Sequence, residues 1–201
     1  MLKLHDYLPS GNGYKIRLLL AHLDVPYELK EYNILKGETH TPEFLKLNPN
    51  GRIPVLELED GRCVAESGAA LYFLSNGTDY LPEEPFERAQ VLQWMFFEQY
   101  SHEPNIATAR YILDYLPKDN PRHETLPEKR KGGYAALDVM EQRLTDHLWL
   151  ATDTFTIADI ALYAYTHVAD EGGFDLSGYA NINAWLDRIK TLPGHIRITD
   201  R

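Results

Sequence analysis

Cysteine is almost absent from these 201 residues. Cys63 stands alone, which excludes an internal disulfide, a Cys-x-x-Cys redox pair and a cysteine zinc cluster. Any thiol chemistry must use Cys63 or a thiol carried in by a ligand. Long apolar runs are missing too. None approaches the roughly 20 residues that cross a bilayer, and Met1 leads into Leu2-Lys3-Leu4-His5 without the basic-then-apolar layout of a signal peptide. These absences predict a cytoplasmic location. Basic charge is scarce: 20 Lys and Arg stand against 30 Asp and Glu, a net charge of -10, and the longest basic block is Lys129-Arg130-Lys131. Nucleic acid and anionic membranes are poor partners for such a surface. What is present is ordinary for a globular protein. With 44% apolar and 11% aromatic residues, the chain can build a core for one large domain or two small ones.

The two halves differ in texture. Residues 2 to 8 are a short apolar and aromatic run, Ser10-Gly11-Asn12-Gly13 is turn chemistry, and Ile16, Leu18, Leu19, Leu20 and Leu23 begin a helical stretch. Tyr27 to Tyr32 alternates as a second strand, giving a β-α-β unit with a parallel pair. Pro42 to Leu47 reads as a short helix. The dense turn Asn48-Pro49-Asn50-Gly51 then leads into the strand Ile53 to Leu58, which the Glu59-Asp60-Gly61-Arg62 turn joins to Cys63-Val64-Ala65 as a hairpin. Ser67 stands where an N-cap would, ahead of the apolar run to Leu74. The order is β-α-β-α-β-β-α. Leu81-Pro82-Glu83-Glu84-Pro85 has linker composition, so the expected division is 1–77, a linker over 78–85, and an all-α domain over 86–201. Helices are predicted over 86–115, 127–148, 156–169 and 181–191, the first kinked at Pro104.

Three places in the first half carry chemistry. Pro54 after Ile53 opens a strand, where proline donates no ladder hydrogen bond. Read alone it is an edge-strand or loop proline. A cis bond would instead turn the Ile53 backbone outward, able to pair with an extended ligand peptide. Glu66-Ser67 lies at a strand-to-helix turn. Read alone it is a helix cap with an exposed acid, but a helix start suits a carboxylate and a nearby acid suits an ammonium group. Ser10 and Asn12 stand before the first helix; read alone, Ser10-Gly11-Asn12-Gly13 is turn composition, but a hydroxyl or amide donor there, together with the helix dipole, suits an anion.

The pieces Ser10-Gly11-Asn12-Gly13-Tyr14-Lys15, Asn48-Pro49-Asn50-Gly51-Arg52-Ile53-Pro54-Val55-Leu56, Glu66-Ser67-Gly68-Ala69-Ala70-Leu71-Tyr72 and Phe155-Thr156-Ile157-Ala158-Asp159, in this order, resemble the cytosolic glutathione S-transferase superfamily. The match is close over residues 2 to 75 and looser over 86 to 191. It implies a thioredoxin-like α/β domain followed by an all-α helical-bundle domain, glutathione as co-substrate, and a homodimer. It also implies roles. The Ile53 backbone would grip the cysteinyl part of glutathione, Glu66 and Ser67 the γ-glutamyl end, and Arg52 with Lys36 or His40 the glycine carboxylate. Ser10 resembles the catalytic serine of the theta, delta and related bacterial classes, and Ser10-x-Asn12 resembles the Thr-x-Asn of the nu class. Tyrosine-type classes place their hydroxyl near Tyr7, but counting back from Ile16 fits Ser10 better, and Tyr7 reads as packed. Cysteine-type classes need a thiol in this loop, which is lacking. Cys63, in the hairpin, reads as a small buried hydrophobe.

The helical half is expected to hold the hydrophobic co-substrate, with Leu8 from the first half and with Tyr100, His102, Asn105, Arg110 and Tyr111 around the Pro104 kink. An aromatic stripe there is also what a core would show. His102 and Glu103 are neighbours that point apart on a helix, so no metal is expected. Thr156-x-x-Asp159 is a capping box with Phe155 as a staple and is assigned to folding. Three functions compete: conjugation of glutathione to a hydrophobic electrophile, glutathione-dependent disulfide reduction as in nu-like members, and a non-catalytic binding module. Retention of Ser10, Pro54, Glu66 and Ser67 together argues for an enzyme.

Overall fold

A computed structural model describes all residues, 1–201, and divides into two compact units, 1–78 with 192–201, and 79–191. The first unit contains β1 (Leu2–Asp6), α1 (Gly11–His22), β2 (Tyr27–Glu31), α2 (Pro42–Leu47), β3 (Val55–Glu57), β4 (Cys63–Ala65) and α3 (Ser67–Ser75). Its four strands lie in the order β2-β1-β3-β4. β1 runs parallel to β2, pairing Leu4 with Leu29, and antiparallel to β3, pairing Leu4 with Leu56. β3 and β4 form the expected hairpin. Because strand side chains alternate between faces, Leu4 and Leu56 bury against Ile16 and Leu20 of α1 and Ala70 of α3. His5, one residue on, belongs to the other face, where its ring nitrogens meet Tyr32 at 3.0 Å and Glu57 at 2.8 Å. Tyr32 packs edge-on against Phe44 of α2. This is the thioredoxin-like domain expected from the element order.

Strand and helix ends shift by a few residues from the sequence reading, and two helix starts in the first unit differ in a way that bears on the site. Gly11-Asn12-Gly13 is already helical, with Ser10 as the extended N-cap residue of α1. The reason is Asp6: the space a Gly13 side chain would need is filled by the Asp6 carboxylate, which would lie 1.7 Å from an added Cβ. Glycine thus serves helix packing here rather than a turn. At α3, Glu66 is the N-cap and Ser67 the first helical residue, because the Ala70 N–H donates to the Glu66 carbonyl at 3.0 Å.

Asp6 and Arg17 form a fully buried ion pair, Oδ2 to Nε 3.1 Å. The guanidinium also donates to the carbonyls of Leu8 at 2.6 Å, Ile198 at 2.9 Å and Asp200 at 2.8 Å. Tyr14 donates to the Ile196 carbonyl at 2.6 Å. These bonds hold residues 192–201, which the sequence reading grouped with the helical half, on the first unit.

The second unit is helical: α4 (Pro85–Phe97), α5 (Glu103–Tyr115), α6 (Leu126–Leu144), α7 (Ile157–Thr166) and α8 (Ala180–Lys190). The predicted helix over 86–115 is interrupted by a π-helical turn at Glu98–His102. Pro104 has no N–H and its ring crowds the carbonyl four residues back, so the chain widens just before it and the Glu103 N–H donates to Glu98 O, five residues back. Asn105 repairs part of the break, its amide donating to Ser101 O at 2.7 Å. α7 begins with the expected capping box. Thr156 Oγ1 accepts from Ala158 N, and the buried Asp159 carboxylate accepts from Thr156 N at 3.1 Å, Leu150 N at 3.0 Å and Trp185 Nε1 at 3.0 Å.

Gly13→Ala is expected to cost about 3 kcal/mol or more of unfolding free energy by driving the new methyl into Asp6, measured by urea denaturation. Burial raises the Asp159 pKa to about 6, only partly offset by its donors. Folding thus favours the neutral acid, and the stability this contributes is full below the unfolded pKa of about 4 and lost as pH rises to about 6. The unfolding free energy of the native sequence minus that of Asp159→Asn should therefore fall by about 3 kcal/mol between these pH values and stay level above them.

Candidate functional site

α1 and α3 start side by side, because both cover the same face of the sheet. Asn12, in the first turn of α1, points its Oδ1 at Ser67, the first residue of α3; Ser67 Oγ donates to it at 3.3 Å. Lys15, one helical turn after Asn12 and 1% exposed, donates to the same Oδ1 at 2.8 Å and lies 3.5 Å from Ser67 Oγ. The candidate catalytic loop and the candidate γ-glutamyl site are thus one hydrogen-bonded cluster. Each helix start presents backbone N–H groups and partial positive charge, so the pair can receive two anionic groups of one ligand.

Ser10 is half-buried, and its hydroxyl makes no hydrogen bond to the N–H groups of the helix it precedes. Its own N–H donates to Tyr7 O at 2.7 Å, and its carbonyl accepts from Tyr14 N at 2.9 Å. Tyr7 and Leu8 are also half-buried, and Leu8 is held through its carbonyl by Arg17. The loop that carries Ser10 is therefore fixed at both ends.

The Ile53–Pro54 bond is cis. Asn48, buried, donates from its amide to the Arg52 carbonyl at 2.8 Å, and Gly51 N donates to Asn48 O at 3.0 Å, which fixes the segment before β3. Gly51 has φ +65, and an added Cβ would stand 3.3 Å from His40 Nε2. His40 and Arg52, both exposed, therefore share one loop region. Lys36 is exposed at the end of the 3₁₀ turn Ile34–Lys36.

Glu66 is exposed and has φ 68, ψ 119, a backbone region that costs a non-glycine residue of order 1–3 kcal/mol. Such strain is tolerated where the surroundings dictate it, and here it turns the chain abruptly from β4 into α3. Cys63 is half-buried in the hairpin; burial pushes its thiol pKa up, the opposite of what a reactive thiol needs.

The helical-half candidates differ in exposure and in their partners. His102 is fully enclosed, its Nε2 within 2.9 Å of Thr166 Oγ1. Arg110 pairs with Glu171 and, at 3.7 Å, with Asp114. Asn105 packs where α5 meets Gly132 of α6. Tyr111 stacks against Tyr115 and under Arg122. Tyr100, 88% exposed, faces solvent. His102, Asn105, Arg110 and Tyr111 thus each hold partners within the second unit. Among the His, Cys, Asp and Glu side chains no group of three or more is arranged to hold a metal ion.

Residues 1–76 match the family "Glutathione S-transferase, N-terminal domain" and residues 102–193 match "Glutathione S-transferase, C-terminal domain". The chain belongs to the glutathione S-transferase family. Its structure resembles that of a glutathione S-transferase from Pseudomonas fluorescens Pf-5 with a TM-score of 0.95 at 55% identity, over 99% of each chain. A glutathione transferase from Burkholderia graminis, solved with two glutathione molecules per subunit, aligns with a TM-score of 0.83 at 26% identity, over 96% of this chain and 85% of that one. The disulfide-bond oxidoreductase YfcG of Escherichia coli (strain K12) is 29% identical over 93% of this chain and 89% of that protein.

In this glutathione S-transferase chain, the sequence reading passed over Lys15. A signal was available: Lys15 and Arg17 flank Ile16 in an otherwise apolar helix, and such cations are rarely buried unless paired. The strain at Glu66 yields a direct test. Glu66→Gly should raise the unfolding free energy by about 1 kcal/mol, strain relief outweighing glycine's added chain entropy, as read from urea unfolding.

Proposed function

We propose that the chain is a serine-type glutathione transferase that draws the glutathione thiol into its thiolate form and adds it to a hydrophobic electrophile. The observation that supports this most directly is the meeting of the α1 and α3 starts through Asn12 and Ser67. One glutathione molecule carries both anions such a pair suits, a thiolate for α1 and a γ-glutamyl carboxylate for α3, with Glu66 beside it for the ammonium group. In this reading the Ile53 backbone pairs with the cysteinyl residue, and Arg52, with His40 or Lys36, takes the glycine carboxylate.

The free thiol has a pKa of roughly 8.5, so at neutral pH most of it is protonated. Ser10 Oγ donates a hydrogen bond to the sulfur, the α1 N-terminus adds partial positive charge, and the Asn12 amide supplies a second donor. The thiol proton passes to solvent. A sulfur lone pair then forms the C–S bond, and the leaving group departs with the electron pair of the bond it gives up. Ser10 keeps its proton throughout, as a hydrogen-bond donor rather than a base.

A second reading, glutathione-dependent disulfide reduction, is favoured by the similarity to YfcG. It uses the same stabilised thiolate, attacking sulfur instead of carbon. Assays with an aryl halide and with a small disulfide separate the two.

Ser10→Ala is expected to lower kcat/KM toward an aryl halide at pH 7 on the order of 100-fold while the glutathione Kd, from calorimetry, stays within a factor of about 3. An unchanged rate would sink the serine assignment. Absence of any binding heat with millimolar glutathione would remove both enzymatic readings.

A further inference from the structure

Lys15 lies beneath the first turn of α1, its Nζ 2.8 Å from Asn12 Oδ1 and 3.5 Å from Ser67 Oγ. An ammonium group donates hydrogen bonds and accepts none, whereas a side-chain amide has one accepting end and one donating end. Facing Lys15, Asn12 must present its oxygen, and the Ser67 hydroxyl adds a second donor to that same oxygen at 3.3 Å. The NH2 end is then turned away from the Lys15–Ser67 pair. An amide without such a partner can flip by half a turn and exchange donor for acceptor, and an acceptor facing a thiolate would repel it.

We propose that Lys15 is a positioning residue for thiol activation: it locks the Asn12 amide in the donating orientation and, through Ser67, ties that orientation to the start of α3. Lys15 touches neither thiol nor electrophile in this scheme. It acts through Asn12, and the inference rests on Asn12 being a donor to the bound thiol. It predicts that occupancy at the two helix starts is coupled, since Ser67 shares the oxygen that sets the amide.

The test reads the pKa of enzyme-bound glutathione from the ultraviolet absorbance of its thiolate against pH. It compares the native sequence, Lys15→Met, Asn12→Ala and the double variant, each saturated with glutathione. Lys15→Met keeps the length and apolar stem of the side chain and removes only the donor. It is expected to raise the bound-thiol pKa by about one unit, a tenfold loss of thiolate below both values. The double variant should show no more than the larger single shift, because both changes remove one contribution. A Lys15→Met protein with an unshifted thiol, or single shifts that simply add, overturns the proposal. If Asn12→Ala alone leaves the thiol unshifted, it is the prior assignment of Asn12 that fails. A purely structural lysine would lower the melting temperature and leave the thiol pKa of the folded protein in place. Should Lys15→Met not fold, the native protein carries the test: its Lys15 ammonium protons should be protected from solvent exchange in nuclear magnetic resonance spectra, and rapid exchange would refute the hydrogen bond.

Discussion

Where the first strand ends, a carboxylate and a guanidinium meet with no access to water, Asp6 Oδ2 at 3.1 Å from Arg17 Nε. Removing both ions from solvent is costly, and the pair is tolerated because Arg17 also donates to three backbone carbonyls, which offsets part of the desolvation of the guanidinium. Even so, burial outweighs the attraction of Arg17 and lifts the Asp6 pKa to about 6. The strand end, the Leu8 turn, the body of α1 and the C-terminal segment are all joined at this one cation. The Ser10 loop is held by its own backbone bonds to Tyr7 and Tyr14 and, through the Leu8 carbonyl, by this pair.

The site built on that support uses neutral devices more than charged ones. Ser10 and Asn12 at one helix start, Ser67 at the other and the backbone beside a cis Ile53–Pro54 bond offer directional donors whose worth rises as water is excluded. Charges sit at the edges: Glu66, Arg52, His40 and Lys36 are exposed. Such a layout suits a zwitterionic peptide with a thiol near its middle. The only cysteine is half-buried and pushed toward its neutral thiol. Chemistry at sulfur therefore depends on sulfur that arrives with the ligand.

In the second unit the residues around Pro104 hold packing partners of their own. The aromatic and polar residues around Pro104 read as a pocket lining because proline must break the helix. The break is relieved within the helix, by the π turn and the Asn105 side chain. His102 Nε2 meets Thr166 and Arg110 pairs with Glu171.

The element order, the thioredoxin-like and helical halves, the Thr156–Asp159 box and the four motifs were legible in the sequence, because each depends on local rules of periodicity, capping and turn chemistry. The helix starting at Gly11 rather than beyond it was not, since the role of Gly13 exists only once Asp6 fills the space beside it. Nor was Lys15, which is one polar residue in a helix until α3 brings Ser67 to its Nζ. The return of residues 192–201 likewise depends on Arg17, some 180 positions earlier in the chain. Sequence alone settled the fold and named most of the residues proposed for the site. Tertiary structure decided which of them share a hydrogen bond, because a side chain's partners across the fold are set by packing and burial, which neighbouring residues do not encode.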